Sequence, residues 1–349
     1  MSAYEFELPE RNIALRPVEP QDAARLLVVH GDGRLENAHV RDLPSYLSPG
    51  DALVFNDTRV ISAALKGIRP ARNEHGTDVS VDINLVARES ESDWVALARP
   101  GKRLKVSDIV RIREDLTAEI IHKRADGELV LRFCQSGSSL DRAIEAAGNM
   151  PLPPYIARKR PADESDRQTY QTSFAGDDAQ SVAAPTAGLH FTPRLLNEID
   201  AAGLLRTQVR LHVGFGTFAP LKDEQIKSGI LHDEWRQITP EVAQQLNEVR
   251  ASGSRCVAVG TTSLRTLESS ATEDQRILAE SGTTSIFIQP GYKFRATDAL
   301  VTNFHLPGSS LFMLVCALMG TDIMQAAYAH AIAEDYRFYS YGDACLLLP

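Results

Sequence analysis

The sequence predicts an α/β layered domain with a mainly parallel sheet, joined by a small antiparallel β-barrel. Three observations carry this. Residues 61–135 hold short strand-like runs and no helix-length amphipathic stretch. Beyond about residue 160, helical and strand-like runs alternate. The compact apolar run DALVFND (51–57), ahead of the barrel, fits a strand that returns to the later sheet and makes the barrel an insertion. Evenly spaced short strands favour a barrel, and alternating strands and helices favour a layered domain.

Taken in order, DALVFND follows the turn signal SPG and is closed by polar residues. VSVDINLVAR (79–88), DWVALAR (93–99), DIVRIR (108–113), AEIIHKR (118–124) and GELVLRF (127–133) then alternate partially between breaks rich in Gly, Asp, Ser or Lys. LDRAIEAAG (140–148) reads as a short helix. NMPLPPYIARKRP (149–161) is too rich in proline for regular structure and reads as a hinge or a rigid binding loop. Helices are predicted at 192–203, 239–253, 262–271 and 321–336, and strands at 205–214, 254–260, 284–289 and 299–304. The expected boundaries are a main domain of 1–60 and 150–349 and an inserted barrel of 61–149.

At 349 residues and 38.3 kDa the chain is long enough for about two domains. Apolar residues make up 43% and charged residues 24%, which argues against long disorder. Its 37 basic and 46 acidic residues leave a net charge of −9, which excludes a globally cationic nucleic-acid coat but permits a local basic patch. Cys134, Cys256, Cys316 and Cys345 lie far apart, without CxxC or zinc spacing, and read as buried thiols. The start, MSAYEFELPE, lacks the basic-then-apolar order of a signal peptide. The run LFMLVCALMG (311–320) is too short for about 30 Å of hydrocarbon and reads as a core helix. A cytoplasmic protein without membrane contact is expected.

Four polar turns stand out. In SRCVAVGTTSLRTLESS (254–270), Thr261, Thr262 or Ser263 can cap a helix whose N–H groups meet an anion, and Arg265 can grip a carboxylate or phosphate with two hydrogen bonds. The plain alternative is a capped helix with Arg265 in an ion pair. RLHVGFGTF (210–218) puts His212 in a strand ending in Gly-x-Gly, and TAGLHFTP (186–193) puts His190 just before a helix capped by Thr192 with Pro193 first. In DALVTNFHLPGSS (298–310), Asn303 and His305 stand at the carboxyl end of a strand, where open α/β sheets take their ligands, and Asp298 stands at the other end. Each histidine is equally readable as a hydrogen-bonded core residue. Arg99, Lys102, Arg103 and Lys105 surround a Pro-Gly turn, and Arg158, Lys159 and Arg160 adjoin Tyr155, a mixture that suits RNA phosphates and an unpaired base. HDEW (232–235) offers no third ligand at metal spacing.

These blocks together resemble the S-adenosylmethionine:tRNA ribosyltransferase-isomerase family of queuosine biosynthesis. The likeness runs nearly end to end. It is carried by LVFNDTRV (53–60), RPGKRL (99–104), MPLPPYI (150–156), YQTSFA (170–175) and SVAAPTAGLHFTP (181–193), continuing through LHVGFGTF (211–218), VGTTSLRTLES (259–269), FIQPGY (287–292), DALVTNFHLPGSSLFMLV (298–315) and YRFYSYGDACLLL (336–348). Arg210 and Leu231 depart from the pattern, where Thr and Met are expected. The resemblance implies a three-layer α/β/α domain with an inserted barrel. It also implies transfer and isomerisation of the ribosyl part of S-adenosylmethionine onto 7-aminomethyl-7-deazaguanine in tRNA. No metal or other cofactor is implied, S-adenosylmethionine being consumed, and a monomer is expected. On this reading His190, His212 and His305 supply base and acid, with Asp298 or Asp57 orienting one imidazole. Arg265 with Thr261, Thr262 and Ser263 suits the methionine carboxylate. Asp57, Arg59, Thr186, Gly188, Thr217 and Asn303 are further substrate contacts, and Tyr155 suits stacking on a base. Arg99, Lys102, Arg103, Arg158 and Lys159 are expected to hold tRNA phosphates.

Overall fold

The computed structural model describes residues 4–124, 127–177, 179–214 and 223–349. In chain order, strands β1 (Arg25–His30), β2 (Leu35–His39) and β3 (Ala52–Asn56) come first. Then follow β4 (Arg59–Val60), β5 (Ala64–Arg69), β6 (Val79–Arg88), β7 (Asp93–Arg99), β8 (Ile109–Arg113), β9 (Leu116–Lys123), β10 (Leu129–Phe133) and β11 (Ala179–Ser181). The last are β12 (Leu205–Leu211), β13 (Ile230–Ile238), β14 (Cys256–Val259), β15 (Glu280–Ile286), β16 (Ala299–Asn303) and β17 (Ala344–Leu348). The chain divides into two units, Met1–Thr58 with Thr172–Gly176 and Pro185–Pro349, and Arg59–Gln171 with Asp177–Ala184.

In the first unit nine strands form one sheet in the order β15-β13-β12-β3-β14-β16-β17-β1-β2. Its centre, β12, β3, β14 and β16, is parallel. Every residue of β3, β14 and β16 is buried, as expected where helices cover both faces of a parallel sheet. DALVFND thus becomes β3, between β12 and β14. The antiparallel flank, β13 and β15, mixes exposed and buried residues. Thr192, Thr239 and Ser309 cap the helices Pro193–Ala201, Pro240–Ala251 and Ser310–Met319 by accepting from Leu195, Val242 and Phe312 N–H groups. The apolar run at 311–320 is the largely buried helix Ser310–Met319, bent by 116° from Thr321–Ala333. Among the described residues no single helix is long and apolar enough to cross a membrane.

The second unit is a closed antiparallel barrel, β10-β7-β6-β5-β8-β9. Alternate residues of β5 and β6 point inward, and closure leaves no open sheet edge. Gly67 allows it: a Cβ there would stand 2.6 Å from Val110 Cγ1 and 2.9 Å from the Arg111 carbonyl oxygen. Residues 150–171 also belong to this unit, beyond the boundary of 149 expected from sequence. Arg167 donates to the Gly148 carbonyl (2.7 Å), and the Gln171 side chain pairs with both backbone groups of Val60 (3.1 and 3.2 Å). Cys256, Cys316 and Cys345 are buried, but Cys134, just past the end of β10, is exposed, against the expectation of four buried thiols.

Candidate active site

The four parallel strands deliver their carboxyl ends to one edge of the sheet, the edge at which open α/β folds bind ligands. Asn56 organises it. Its Oδ1 accepts from the N–H groups of Leu211 (3.1 Å) and Thr58 (3.2 Å), while Nδ2 donates to the Leu211 carbonyl (3.0 Å) and Thr262 Oγ1 (3.2 Å). One side chain so ties the ends of β3 and β12 to the helix Thr261–Ser269. Beside it the fully buried Thr58 sets Oγ1 2.9 Å from Nδ1 of His212. The His212 ring stacks on Trp235 with centroids 4.8 Å apart and an interplanar angle of 15°. Thr58 and Trp235 together fix the imidazole plane.

At the end of β16, Thr186 Oγ1 donates to Asn303 Oδ1 (2.8 Å), which turns Asn303 Nδ2 toward His190 Nε2 (3.3 Å). His190 also bonds the Gln21 backbone. Burial lowers its pKa to about 4, opposed in part by the Asp343 carboxylate. His305 lies within 3.0 Å of Thr302 Oγ1, and burial lowers its pKa to about 3. Both rings are neutral at pH 7, so neither is an imidazolium proton donor there. Gly188 lets its turn close on Phe174, since a Cβ would stand 2.7 Å from that ring. His212 follows the end of β12 and Asn303 ends β16, strands that lie three strand spacings, about 14 Å, apart in the sheet. The imidazole-bearing turns thus stand along one edge of the sheet.

Several expectations need correction. Both oxygens of Asp57 are taken by Arg210 (2.8 and 2.6 Å), so Asp57 orients no imidazole, and its neighbour Thr58 contacts His212 instead. Asp298 immediately precedes β16, about 16 Å of extended chain from Asn303. There it holds Arg250 (3.0 Å) and the Cys256 N–H (2.8 Å), which removes it from the histidines. The helix Thr261–Ser269 is capped by Gly260 without a side-chain hydrogen bond, not by Thr261, Thr262 or Ser263. The Ser263 hydroxyl turns back to the Val259 carbonyl (2.9 Å). Arg265, expected to hold a carboxylate, is buried with Nη1 on Glu234, and its Nε/Nη2 edge meets no acceptor among the described residues. Thr217 lies outside the described residues.

On the second unit Arg59, Arg99, Lys102, Arg103, Arg158 and Lys159 are exposed and Tyr155 is half-buried. Arg72 shapes the basic turn by gripping Asp108 (2.7 and 2.6 Å) and the Arg103 carbonyl (2.8 Å), while Lys123 donates to the Gly101 carbonyl (2.8 Å). Arg160 is instead engaged with the buried Asp166 (2.7 Å). Sequence reasoning missed Asn56, Thr58 and Trp235, and weighed Glu234 only as a metal ligand. The signal for Trp235 lay in the antiparallel pairing of β12 with β13, which matches Leu211 with Arg236 and so sets residue 212 against 235.

Among the described residues the sheet is mixed, four of its eight strand pairings being parallel, against the mainly parallel sheet expected. Its parallel centre carries polar, histidine-bearing turns at the carboxyl edge, where α/β enzymes gather their reactive groups. The family described as Queuosine biosynthesis protein matches residues 1–347. The S-adenosylmethionine:tRNA ribosyltransferase-isomerase of Hyphomonas neptunium is 65% identical over 349 residues, 100% of this chain and 99% of that one. Its counterpart of the same name in Maricaulis maris is 54% identical over 348 residues, 99% and 98% of the two chains. A crystal structure of the S-adenosylmethionine tRNA ribosyltransferase of Thermotoga maritima is 36% identical, with a TM-score of 0.56, and the match covers 99% of this chain and 100% of that one. The chain belongs to the queuosine biosynthesis protein family.

Proposed function

We propose that the protein transfers the ribosyl part of S-adenosylmethionine to 7-aminomethyl-7-deazaguanine at the wobble position of tRNA. The sugar is isomerised to the epoxycyclopentanediol of epoxyqueuosine, and adenine and methionine leave. The end-to-end likeness to relatives bearing that name carries the reading. A C–H beside a sulfonium is acidified yet still needs a positioned base, and the departing adenine needs a donor or acid. His212, held between Thr58 and Trp235, is the base in this proposal. His190 and His305 act as neutral imidazoles that donate or accept single hydrogen bonds, and Thr186, Gly188 and Asn303 shape the turn beside them. The reaction consumes S-adenosylmethionine and calls for no further cofactor, and its tRNA substrate suits a cytoplasmic setting.

Chromatography of a reaction with S-adenosylmethionine and tRNA bearing the aminomethyl base is expected to show adenine and methionine in step with tRNA modification. S-adenosylhomocysteine in their place would mark a methyltransferase, and tRNA affinity without turnover would mark a binding module.

Arg99, Lys102, Arg103, Arg158 and Lys159 are the proposed phosphate contacts, with Tyr155 for a splayed base. Lys102→Glu or Arg103→Glu is expected to weaken tRNA binding and flatten its salt dependence by about one unit of log–log slope. A slope equal to that of the unaltered protein moves the RNA to another surface.

A further inference from the structure

Gly260, with φ of +87° and no side chain, opens the helix Thr261–Ser269 and supplies no capping acceptor to its first-turn N–H groups. One turn on, the Arg265 side chain is 7% exposed. Glu234, itself 6% exposed, holds Arg265 through Nη1, and the Gly214 N–H donates to the other Glu234 oxygen over 3.0 Å. The remaining edge of the guanidinium, Nε with Nη2, is buried and meets no acceptor among the described residues. That edge is a fork of parallel donors. Elsewhere in this chain the same fork is filled by an aspartate: Arg72 on Asp108, Arg132 on Asp93, Arg206 on Asp200 and Arg210 on Asp57, each by two hydrogen bonds of 2.6–2.9 Å.

Donors shut away from water without an acceptor are costly, and a planar two-oxygen anion is the partner they fit. Helical side chains lean toward the amino end, so an anion on this fork also lies in the positive field of the helix start. Neither nitrogen touches bulk water, which suits a small anion that the fold encloses. The phosphate rail of a polynucleotide needs an open groove instead. We infer that the Nε/Nη2 edge of Arg265 is the seat of the α-carboxylate at the amino-acid end of S-adenosylmethionine, and that Glu234 is a positioning residue which turns this edge to the substrate. The assignment rests on S-adenosylmethionine being the substrate, as proposed above.

Titration calorimetry of the full chain with S-adenosylmethionine and with its decarboxylated form, which lacks only that carboxylate, tests the seat. Decarboxylated S-adenosylmethionine is expected to bind about 30-fold more weakly. Arg265→Gln binds the two compounds alike, and Glu234→Gln narrows the ratio, both without loss of tRNA affinity. Equal affinities of the unaltered protein for the two compounds overturn the assignment without recourse to any variant. So does an unchanged ratio in Arg265→Gln, and so does a tRNA defect in that variant with the ratio intact, which gives the fork to a phosphate. If the unaltered protein binds neither compound, the proposed substrate falls together with the seat. If it binds S-adenosylmethionine without discriminating, the seat falls alone.

Discussion

His212→Gln is expected to lower turnover at saturating substrate by about 10²–10⁴-fold, the range that positioned acid–base catalysis supplies. Affinities for S-adenosylmethionine and tRNA should persist, because the backbone N–H of residue 212 still donates to the Trp235 carbonyl (2.9 Å) and Asn56 still ties β12 to β3. Thr58 supplies an internal control. Thr58→Val removes the hydroxyl partner of Nδ1 while keeping the shape of a fully buried side chain. It is expected to shift the pH profile of turnover, and Thr58→Ser is expected to restore it. Normal turnover in His212→Gln at every pH would take this imidazole out of the chemistry.

A second large effect concerns acid stability. The pKa values of His190 and His305 stand at about 4 and about 3, each lowered first by burial, while the unfolded chain titrates near about 6.5. Between about pH 6.5 and 4 the unfolded state therefore binds protons that the folded state refuses. Stability contributed by the neutral rings is complete above about pH 6.5 and is lost as pH falls. The loss from His190 ends near about pH 4 and that from His305 near about pH 3. Two such protons give a slope of roughly 3 kcal/mol per pH unit at about pH 5. Denaturant titrations between pH 7 and 5 measure it, and His305→Asn should reduce the slope by about half. Equal unfolding free energies at the two pH values would mean that both rings take up protons in the fold as they do in the unfolded chain.

Elements with a strong period were legible in the sequence. The partial alternation of 79–133 becomes the barrel, and the unbroken apolar run at 51–57 becomes a central strand of the sheet. Helix starts with Thr-Pro were equally plain at 192 and 239. The site was legible as turns but not as contacts. Asn56 with Leu211, Asp57 with Arg210 and Thr58 with His212 join residues more than 150 positions apart, and local pattern carries no record of such partners. Asp298 misled for a related reason: five residues of extended chain separate its ends as widely as a strand is long. Glu234 is the converse case. Its neighbours in HDEW suggested a failed metal site, whereas its partner, Arg265, comes from a helix 31 residues later.

Asn56 has one further consequence. Where β3 turns away and the Asp57 carbonyl accepts from Gly176 (2.8 Å), the carboxamide of Asn56 meets both backbone groups of Leu211 and stands in for the missing peptide rung. Aspartate lacks the donor for this and glutamine overshoots by a methylene. The carboxamide thus extends by one rung a ladder whose register the backbone pairs from Leu205–Ala52 to Val209–Asn56 already set. The Leu211 amide should exchange with deuterium as slowly as those inside the ladder, although the strand beside it has ended.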